Sequence, residues 1–238
     1  MEVVYEDNHI IVVHKQAGEI VQGDKTGDRP LSELVKAYIK EHYAKPGAVF
    51  LGVVHRLDRP VSGLVVFART SKALTRLNEM FRNATVEKTY YAVVHNAPQA
   101  AEATLTHYLL RNEQTNKSYV TNAGRAGAKK AVLDYRLAGS SEHYRLLEVH
   151  LHTGRHHQIR CQLAAIGCVI AGDLKYGARR SNADGSICLH AGRIRFEHPV
   201  SHTLIDISAP LPKTGPWKGF QDAVPELATA ITPAPAGM

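Results

Sequence analysis

The sequence predicts an α+β protein with a mixed, largely antiparallel β-sheet and flanking helices. Segments rich in Val, Ile, Leu and Tyr, which are typical of strands, outnumber segments in which apolar residues recur at helical spacing. The two kinds of segment interleave without the regular strand–helix alternation of a parallel α/β fold. With 44% hydrophobic and 21% charged residues over 238 positions, the composition is that of a folded globular chain.

Five strands are predicted where β-branched, aromatic and other apolar residues run together. They span residues 9–14, 63–68, 90–94, 131–137 and 145–152. The stretch 111–130 is instead rich in Asn, Gly, Lys and Thr, and it predicts an extended loop or hairpin on the surface.

Three helices are predicted from apolar spacing and from signals at their ends. Pro30 opens the first, and Thr70 or Ser71 caps the second. The third runs from about residue 155 to 166, where Gly167 ends it. The apolar side chains expected on the buried faces are Leu31, Leu34, Val35, Tyr38, Ile39, Leu74, Leu77, Phe81, Ile159, Leu163 and Ile166.

Composition also indicates where the protein works. No apolar run approaches the ~18 residues that a membrane-spanning helix needs, and the amino terminus is acidic where a secretory signal would be basic. Cys161, Cys168 and Cys188 fit neither a disulfide scaffold nor a metal-binding pair, so we expect reduced core thiols in a cytoplasmic protein. Residues 1–220 are predicted to form one domain. Residues 221–238, which hold no Lys or Arg, are predicted to be a flexible or surface-lying tail.

The chain is basic, with 29 Lys and Arg against 22 Asp and Glu and a formal charge of +7. Residues 145–195 concentrate the surplus, because eight Lys and Arg fall there against three acids. Such a surface suits a phosphate-bearing partner, although charge alone does not separate nucleic-acid binding from simple solvation.

A first candidate for chemistry is Asp58, which lies between Arg56 and Arg59 just before a turn and a predicted strand. Arginine neighbours favour the ionised carboxylate, which is the form that acts as a nucleophile or a base. A turn with a surface ion pair explains the local pattern equally well.

A second candidate is a pair of tyrosines, Tyr90 and Tyr91, on a predicted strand. Neighbouring side chains on a strand face opposite ways, so only one of them can face a cleft. That one could stack on a base and use its hydroxyl for proton transfer. Sheet packing remains the more common role for such a pair.

The third candidate is residues 146–160, where a strand gives way to a helix at Thr153 and Gly154. Backbone N–H groups at a helix start, close to Arg155 and Arg160, predict a site for phosphate or carboxylate. A histidine cluster, defined as His150, His152, His156 and His157, also allows a zinc site. Glu148 is the one carboxylate near the cluster at ligand spacing, which disfavours zinc.

Together these segments resemble the RluA-type family of RNA pseudouridine synthases. Residues 55–63 (HRLDRPVSG) resemble the family's HRLDxxxSG motif, and residues 88–92 (KTYYA) are similar to its K-x-Y-x-A strand. Residues 153–160 (TGRHHQIR) are close to its TGRxHQ[IL]R motif. Residues 172–177 (GDLKYG) and 189–191 (LHA) resemble later family segments, so the resemblance covers most of the chain.

The resemblance implies catalytic roles for three residues. Asp58 would attack the target uridine, so that the base is detached, turned and rejoined through carbon, with attack on the ribose or on the uracil ring left open. Tyr90, rather than Tyr91, matches the tyrosine that packs on the base and assists proton removal. Arg160 matches the basic residue that pairs with the carboxylate and keeps it ionised in a closing pocket.

The resemblance also implies contacts to RNA. Arg56 matches the residue that fills the gap left by the extruded uridine, and its flat guanidinium suits stacking there. Arg59, Arg155, His157 and Gln158 are expected to grip phosphates or orient the pocket, with a structural role left open for each. Rearranging one nucleotide needs no metal, redox cofactor or nucleoside triphosphate, so none is expected.

The sequence therefore predicts a cytoplasmic pseudouridine synthase with the fold of that family and a central RNA-binding cleft, acting on tRNA or rRNA. The alternatives are a non-catalytic RNA-binding module and a metal-dependent RNA hydrolase that uses the histidine cluster. The family pattern begins almost at Met1, so we expect the catalytic domain itself to choose the target, with residues 111–130 as a candidate contact. The partner is RNA and not a membrane, and no obligate protein partner is implied. The target uridine and the oligomeric state are left open.

Overall fold

One large sheet dominates the computed structural model, which describes residues 1–224. In that range the strands are β1 (Glu2–Glu6), β2 (Ile10–Lys15), β3 (Gly52–Val53), β4 (Ser62–Ala68), β5 (Glu87–Val94), β6 (Glu102–Asn112), β7 (Lys117–Thr121), β8 (Lys129–Ser140), β9 (Arg145–Leu151), β10 (Leu189–Glu197) and β11 (Leu204–Ser208). The helices are α1 (Leu31–His42), α2 (Ser71–Arg82) and α3 (Gln158–Ala165), with short 3₁₀ helices at Leu174–Tyr176 and Gly215–Phe220. The predicted fold class is confirmed.

The sheet joins both halves of the chain. Its strands follow the order β1-β2-β4-β10-β5-β9-β8-β6-β7, with β3 beside β4 and β11 beside β10. Within the described chain every pairing is antiparallel except that of β4 with β10. Gly63 permits this contact, because its φ is +125° and a Cβ would collide with the backbone of Ala191. β10 thereby links the amino-terminal strands to the rest of the sheet.

Both faces of the sheet are covered around β2 and β4. Successive side chains on a strand point to opposite faces, so Ile11 and Val13 join one core cluster with α1 and α3. Ile10 and Val12 join a second cluster with α2 and β11. Continuous apolar runs, rather than alternating ones, therefore mark these central strands.

Each predicted strand is present, and the first two helices begin where expected. Pro30 precedes α1, and the side chain of Thr70 accepts a hydrogen bond from the backbone N–H of Ala73 at 3.2 Å at the start of α2. The apolar side chains predicted on the helix faces are all buried or partly buried in the two core clusters. Local pattern was sufficient for these elements because each one packs a continuous apolar face.

The third helix begins later than predicted, at Gln158 rather than near Arg155. His157 precedes it with left-handed backbone, at φ 52°. The Oε1 atom of Gln158 accepts hydrogen bonds from the Thr153 hydroxyl at 2.8 Å and from the Arg155 N–H at 3.0 Å. These bonds replace a helical turn with an irregular one. Gly167 follows the end of α3 with φ of 80°, as predicted.

Five strands were not predicted, namely β1, β3, β6, β10 and β11, and β7 was expected only as part of an extended loop or hairpin. β6, for example, alternates between exposed and partly buried residues, so polar side chains interrupt its apolar pattern. The polar segment 111–130 holds the end of β6 and all of β7, and their pairing confirms the predicted hairpin. It does not lie wholly on the surface, because Ser118 is only 2% exposed.

Three further predictions concern thiols, chain ends and membranes. The three cysteines are free and buried, as expected. Val224 is buried against the core, so the packed body reaches at least this residue, while residues 225–238 of the predicted tail lie outside the described residues. Of the helices in residues 1–224, none is long and apolar enough to cross a membrane.

A buried lysine fixes the loop between β3 and β4. Lys15, at the end of β2, is 0% exposed, and its Nζ lies 3.0 Å from the carbonyl oxygen of Gln16. The same Nζ donates to the carbonyl oxygens of Asp58 at 3.2 Å, Arg59 at 3.1 Å and Val61 at 2.6 Å. Burial lowers the pKa of Lys15 to about 8, so the ammonium remains mostly charged at neutral pH. It holds the loop that carries Asp58 against the sheet.

Replacing this lysine tests its structural role. Lys15→Met leaves the four carbonyls without their donor, and we expect the free energy of unfolding to fall by about 3 kcal/mol in urea titrations at pH 7. The control is Lys36→Met, since Lys36 is a half-exposed α1 residue paired with Glu33 and should cost no more than about 0.5 kcal/mol. Equal losses in the two variants would contradict the role given to Lys15.

A buried histidine predicts how stability depends on pH. Burial lowers the pKa of His190 to about 3, whereas an unfolded histidine titrates near ~6.5. Below that pH the unfolded chain binds a proton that the folded chain excludes, so stability falls as the pH decreases. We expect His190 to account for about 2 kcal/mol of loss between pH 7 and pH 5 in urea titrations.

The variant that tests this is His190→Asn. In the wild type the Ser62 hydroxyl lies 2.8 Å from Nδ1 of His190, and the asparagine amide keeps a polar partner near that hydroxyl without titrating. Its stability should decline less steeply below pH 6.5 than that of the wild type. His143→Asn is the control because His143 is exposed. A His190→Asn protein with the wild-type pH dependence would show that the buried imidazole is not responsible.

Candidate active site

The candidate site is a cavity of about 90 Å³ where the loop before β4, strand β5, the end of β9 and the start of α3 meet. Its apolar wall is formed by Leu57, Val61, Leu151, Ile159 and Leu189. Seven of the eight predicted site residues line it, namely Arg56, Asp58, Tyr90, Arg155, His157, Gln158 and Arg160. The tertiary structure thus brings together three segments that lie far apart in the sequence.

Arg160 connects Asp58 to a second carboxylate that sequence reasoning missed. Its Nη1 donates to Oδ2 of Asp58 at 3.0 Å, while Nε and Nη2 donate to the two carboxylate oxygens of Asp173 at 2.7 and 2.8 Å. Arg160 is 5% exposed and Asp173 is 1% exposed. The pKa of Arg160 is raised because, although burial opposes it, Asp173 and then Asp58 stabilise the cation. A permanent positive charge therefore lies beside a partly exposed Asp58.

Tyr90 faces the cavity from β5 and is 8% exposed. Burial, followed by the charge of Asp58, raises the pKa of Tyr90 above its ordinary value. The phenol is therefore neutral at physiological pH, and it offers an aromatic ring and a hydroxyl donor next to the carboxylate. Tyr91 does not line the cavity, in agreement with the alternation expected on a strand.

The arginines before and after Asp58 differ in their surroundings. Arg56 is exposed at the rim and lines both the cavity and a neighbouring groove. Arg59 lies outside the cavity lining, and its guanidinium donates to Asp28 at 2.6 Å and to the Thr26 hydroxyl at 2.7 Å. Arg59 therefore anchors the loop before α1 in this structure.

At the start of α3 the predicted anion site differs from expectation. The Arg155 N–H is occupied by the side chain of Gln158, and Gln158 also donates from Nε2 to the carbonyl of Val132 at 3.0 Å. Gln158 is 3% exposed, which suits a residue that fixes the turn. Arg155 is exposed and lines the cavity and the groove.

The histidine cluster does not converge on one point. His150 lies 2.8 Å from a Glu148 oxygen, and His152 pairs with Asp134. His156 and His157 instead face the β6–β7 hairpin and the cavity. Among the residues that the structure describes, no group of three or more His, Cys, Asp or Glu side chains is arranged to hold a metal ion.

A basic groove of about 550 Å³ adjoins the cavity and shares Arg56, Tyr90, Leu151 and Arg155 with it. Its other lining residues are Val54, His55, Phe81, Arg82, Ala84, Lys88, His152, Thr153 and Gly154. Within residues 1–224, none of the groove's lining residues is Asp or Glu. The groove therefore offers four basic side chains, Arg56, Arg82, Lys88 and Arg155, beside the carboxylate.

Three important residues carried no assigned role in the sequence. Asp173 and Tyr176 lie in the GDLKYG segment, where an isolated acid and aromatic residue gave no sign of their partners. Lys15 directly follows a predicted apolar strand, and this position is the one signal in the sequence that could have suggested a buried lysine. Lysine is rarely buried without partners. Their partners are distant in sequence, so the contacts appear only in three dimensions.

A protein-family model described as RNA pseudouridylate synthase matches residues 9–165. The chain is 33% identical over 217 residues to an uncharacterised RNA pseudouridine synthase, YlyB, of Bacillus subtilis, covering 90% of this chain and 70% of the relative. It is 34% identical over 215 residues to ribosomal large subunit pseudouridine synthase C of Vibrio cholerae, covering 88% of this chain and 65% of the relative.

Solved structures share the fold. The structure named Human RNA Pseudouridylate Synthase Domain Containing 4 aligns with a TM-score of 0.75 and 20% identity, over 97% of this chain and 94% of that chain. The structure named Human RNA Pseudouridylate Synthase Domain Containing 1 aligns with a TM-score of 0.66 and 23% identity, over 90% of this chain and 84% of that chain. The family model and the curated relatives show that the chain belongs to the RNA pseudouridylate synthase family and is an RNA-modifying isomerase.

Proposed function

We propose that this protein converts uridine to pseudouridine in a structured RNA with Asp58 as the nucleophile. The observation that carries the proposal is the position of Asp58: its side chain is 32% exposed at the cavity, while a buried arginine holds one of its oxygens. A carboxylate that is both reachable and paired with a fixed cation suits nucleophilic attack.

The reaction breaks the bond between N1 of uracil and C1′ of ribose and forms a bond between C5 and C1′. The hydrogen on C5 leaves as a proton, and N1 ends protonated, so the product is an isomer and no oxidant or reductant takes part. Asp58 forms a transient covalent bond, either to the ribose or to the ring. The raised pKa of Tyr90 favours packing and hydrogen-bond donation to the base over a role as a resting-state base.

Extrusion of the uridine suits the arrangement of cavity and groove. A base within a folded RNA cannot reach Asp58, so the nucleotide has to leave its stack and enter the cavity. Arg56, exposed at the boundary between cavity and groove, is placed to stack in the vacated space. Arg155, Arg82 and Lys88 offer positive charge to the flanking phosphates along the groove.

The remaining predicted contacts are assigned differently. Gln158 is buried and fixes the turn that presents Arg155, so we give it an orienting role. Arg59 is bound to Asp28 and can reach a phosphate only if that pair opens. Its contact with RNA stays a prediction.

The RNA to test first is that of the large ribosomal subunit, because the Vibrio cholerae relative is named for it. Unmodified tRNA is the second substrate. Either RNA is met in the cytoplasm, where the buried thiols would stay reduced. The metal-dependent hydrolase is the weaker alternative, because the histidine side chains that it needs point to different partners.

The decisive variant is Asp58→Asn, which keeps the shape of the side chain and removes its charge. We expect normal folding and RNA binding but no detectable product. The assay is release of tritium from C5-labelled uridine in transcribed large-subunit rRNA, or in unmodified tRNA, since the reaction frees the C5 hydrogen.

Asp206→Asn is the matched control, because Asp206 is also held by an arginine, Arg193, at 2.7 and 2.6 Å, but lies outside the cavity lining. This protein should retain wild-type activity. Product formation by Asp58→Asn at the wild-type rate would refute the mechanism. An unmutated protein that binds RNA but forms no product would instead favour a non-catalytic RNA-binding module.

The role of the buried guanidinium is tested by Arg160→Lys. A lysine keeps the charge but cannot donate simultaneously to Asp173 and Asp58 in a planar fork. We expect kcat to fall at least about tenfold and the free energy of unfolding to fall by about 2 kcal/mol. Arg193→Lys is the control for an exposed arginine fork, and it should change neither quantity appreciably. An Arg160→Lys enzyme with wild-type kcat would contradict the need for the fork.

A further inference from the structure

The burial of His157 favours an orienting role over the phosphate contact that the sequence also allowed. The residue is 8% exposed and lines the cavity together with Asp58. Its Nε2 lies 3.4 Å from Oδ2 of Asp58, and its Nδ1 lies 3.0 Å from the hydroxyl oxygen of Tyr176. The imidazole is therefore clamped between the candidate nucleophile and a buried phenol.

The backbone at His157 is strained in a way that places the imidazole. A non-glycine residue with φ of 52° occupies the left-handed region, which costs on the order of 1–3 kcal/mol. The strain occurs directly before α3, where the turn held by Gln158 ends. Because the turn fixes the direction of the Cα–Cβ bond, the ring is held in one place beside the carboxylate.

The protonation state of His157 follows from burial. Desolvation lowers its pKa to about 3 in spite of the opposing charge of Asp58, so the imidazole is neutral at physiological pH. A neutral imidazole carries one N–H, on Nδ1 or on Nε2. With the proton on Nδ1, the lone pair of Nε2 would face the carboxylate of Asp58, which is unfavourable.

Tyr176 can select between the two tautomers. Its hydroxyl oxygen accepts a hydrogen bond from the Ser118 N–H at 2.9 Å and lies 3.0 Å from the Ser118 carbonyl oxygen. The single phenolic proton can therefore go to that carbonyl or to Nδ1 of His157. Donation to Nδ1 leaves the imidazole proton on Nε2, where it faces Asp58.

The β6–β7 hairpin supports this arrangement. Ser118 of β7 is 2% exposed, and its hydroxyl lies 2.9 Å from Nδ1 of His156. The rings of His156 and His157 stack with their centroids 3.8 Å apart. The hairpin therefore holds both Tyr176 and the ring that covers His157.

We propose that His157 is a positioning residue for the reaction: as a neutral Nε2–H donor fixed by Tyr176, it orients Asp58 together with Arg160. Both groups contact Oδ2 of Asp58, so Oδ1 is the oxygen that attacks the uridine. A neutral donor orients the carboxylate without adding a second cation, so the nucleophilicity of Asp58 is preserved. The proposal rests on the proposed function, because it concerns the same site.

The test compares two unbranched replacements that suffer equal backbone strain. His157→Gln keeps an N–H donor near the position of Nε2, whereas His157→Met has a similar shape without a donor. With transcribed large-subunit rRNA in the tritium-release assay, we expect His157→Met to lower kcat about tenfold with KM unchanged, and His157→Gln to retain most of the wild-type kcat. Thermal unfolding by circular dichroism is measured for both proteins.

A second comparison uses single tyrosine variants, which do not depend on the folding of the His157 variants. Tyr176→Phe should lower kcat about threefold, whereas Tyr135→Phe should not, although Tyr135 is buried too and its hydroxyl donates to the carbonyl of Ala100 at 3.2 Å. In a His157→Met background, Tyr176→Phe should have no further effect, because the two residues act as one unit.

Three results would overturn the proposal: equal losses of kcat in the Gln and Met variants, an increase of KM with unchanged kcat in the Met variant, or equal activities of Tyr176→Phe and Tyr135→Phe. The second of these would indicate a phosphate contact. Failure of the proposed function is a separate result, since the wild-type protein would then release no tritium from either RNA.

Discussion

A single buried guanidinium holds the candidate site together. Arg160 binds Asp173 with two of its donors and reaches Asp58 with a third, so a helix, the segment before a 3₁₀ turn and the loop before β4 meet at one charge. Burying an ion is costly unless its charge is compensated and its donors are paired. Asp173 compensates the charge of Arg160 and accepts two of its hydrogen bonds. Asp58 can therefore remain partly exposed and available for chemistry.

The same rule, that a buried polar group needs its partners, explains the other supports of Asp58. Lys15, at the end of β2, donates hydrogen bonds to the carbonyl groups of the loop, so it fixes the backbone that carries Asp58. His157 stays neutral, and its Nε2 lies 3.4 Å from Oδ2 of the carboxylate. Three residues thus control Asp58: Lys15 fixes its backbone, Arg160 balances its charge and His157 orients its carboxylate. Each of the three has its own set of partners.

Charge and shape are divided between two adjoining spaces. The small cavity has an apolar wall and holds the Asp58 carboxylate beside the buried Arg160, which suits a single base removed from water. The adjoining groove carries Arg56, Arg82, Lys88 and Arg155, which suits the phosphates on either side of that base. The moderate net charge of +7 therefore understates the local field, because the basic side chains are concentrated where the RNA backbone would pass.

The sequence was sufficient to predict the elements whose apolar faces are continuous, such as β2, β4 and α1, and its motifs predict catalytic roles for Asp58, Tyr90 and Arg160, which stay predictions. It did not determine where α3 begins, because the side chain of Gln158, rather than local propensity, fixes that turn. It also could not reveal that Arg59 binds Asp28, or that Lys15, Asp173 and Tyr176 support the site. Periodicity reports which face of an element is buried, whereas the partner of a polar side chain is chosen by tertiary packing between residues far apart in the chain.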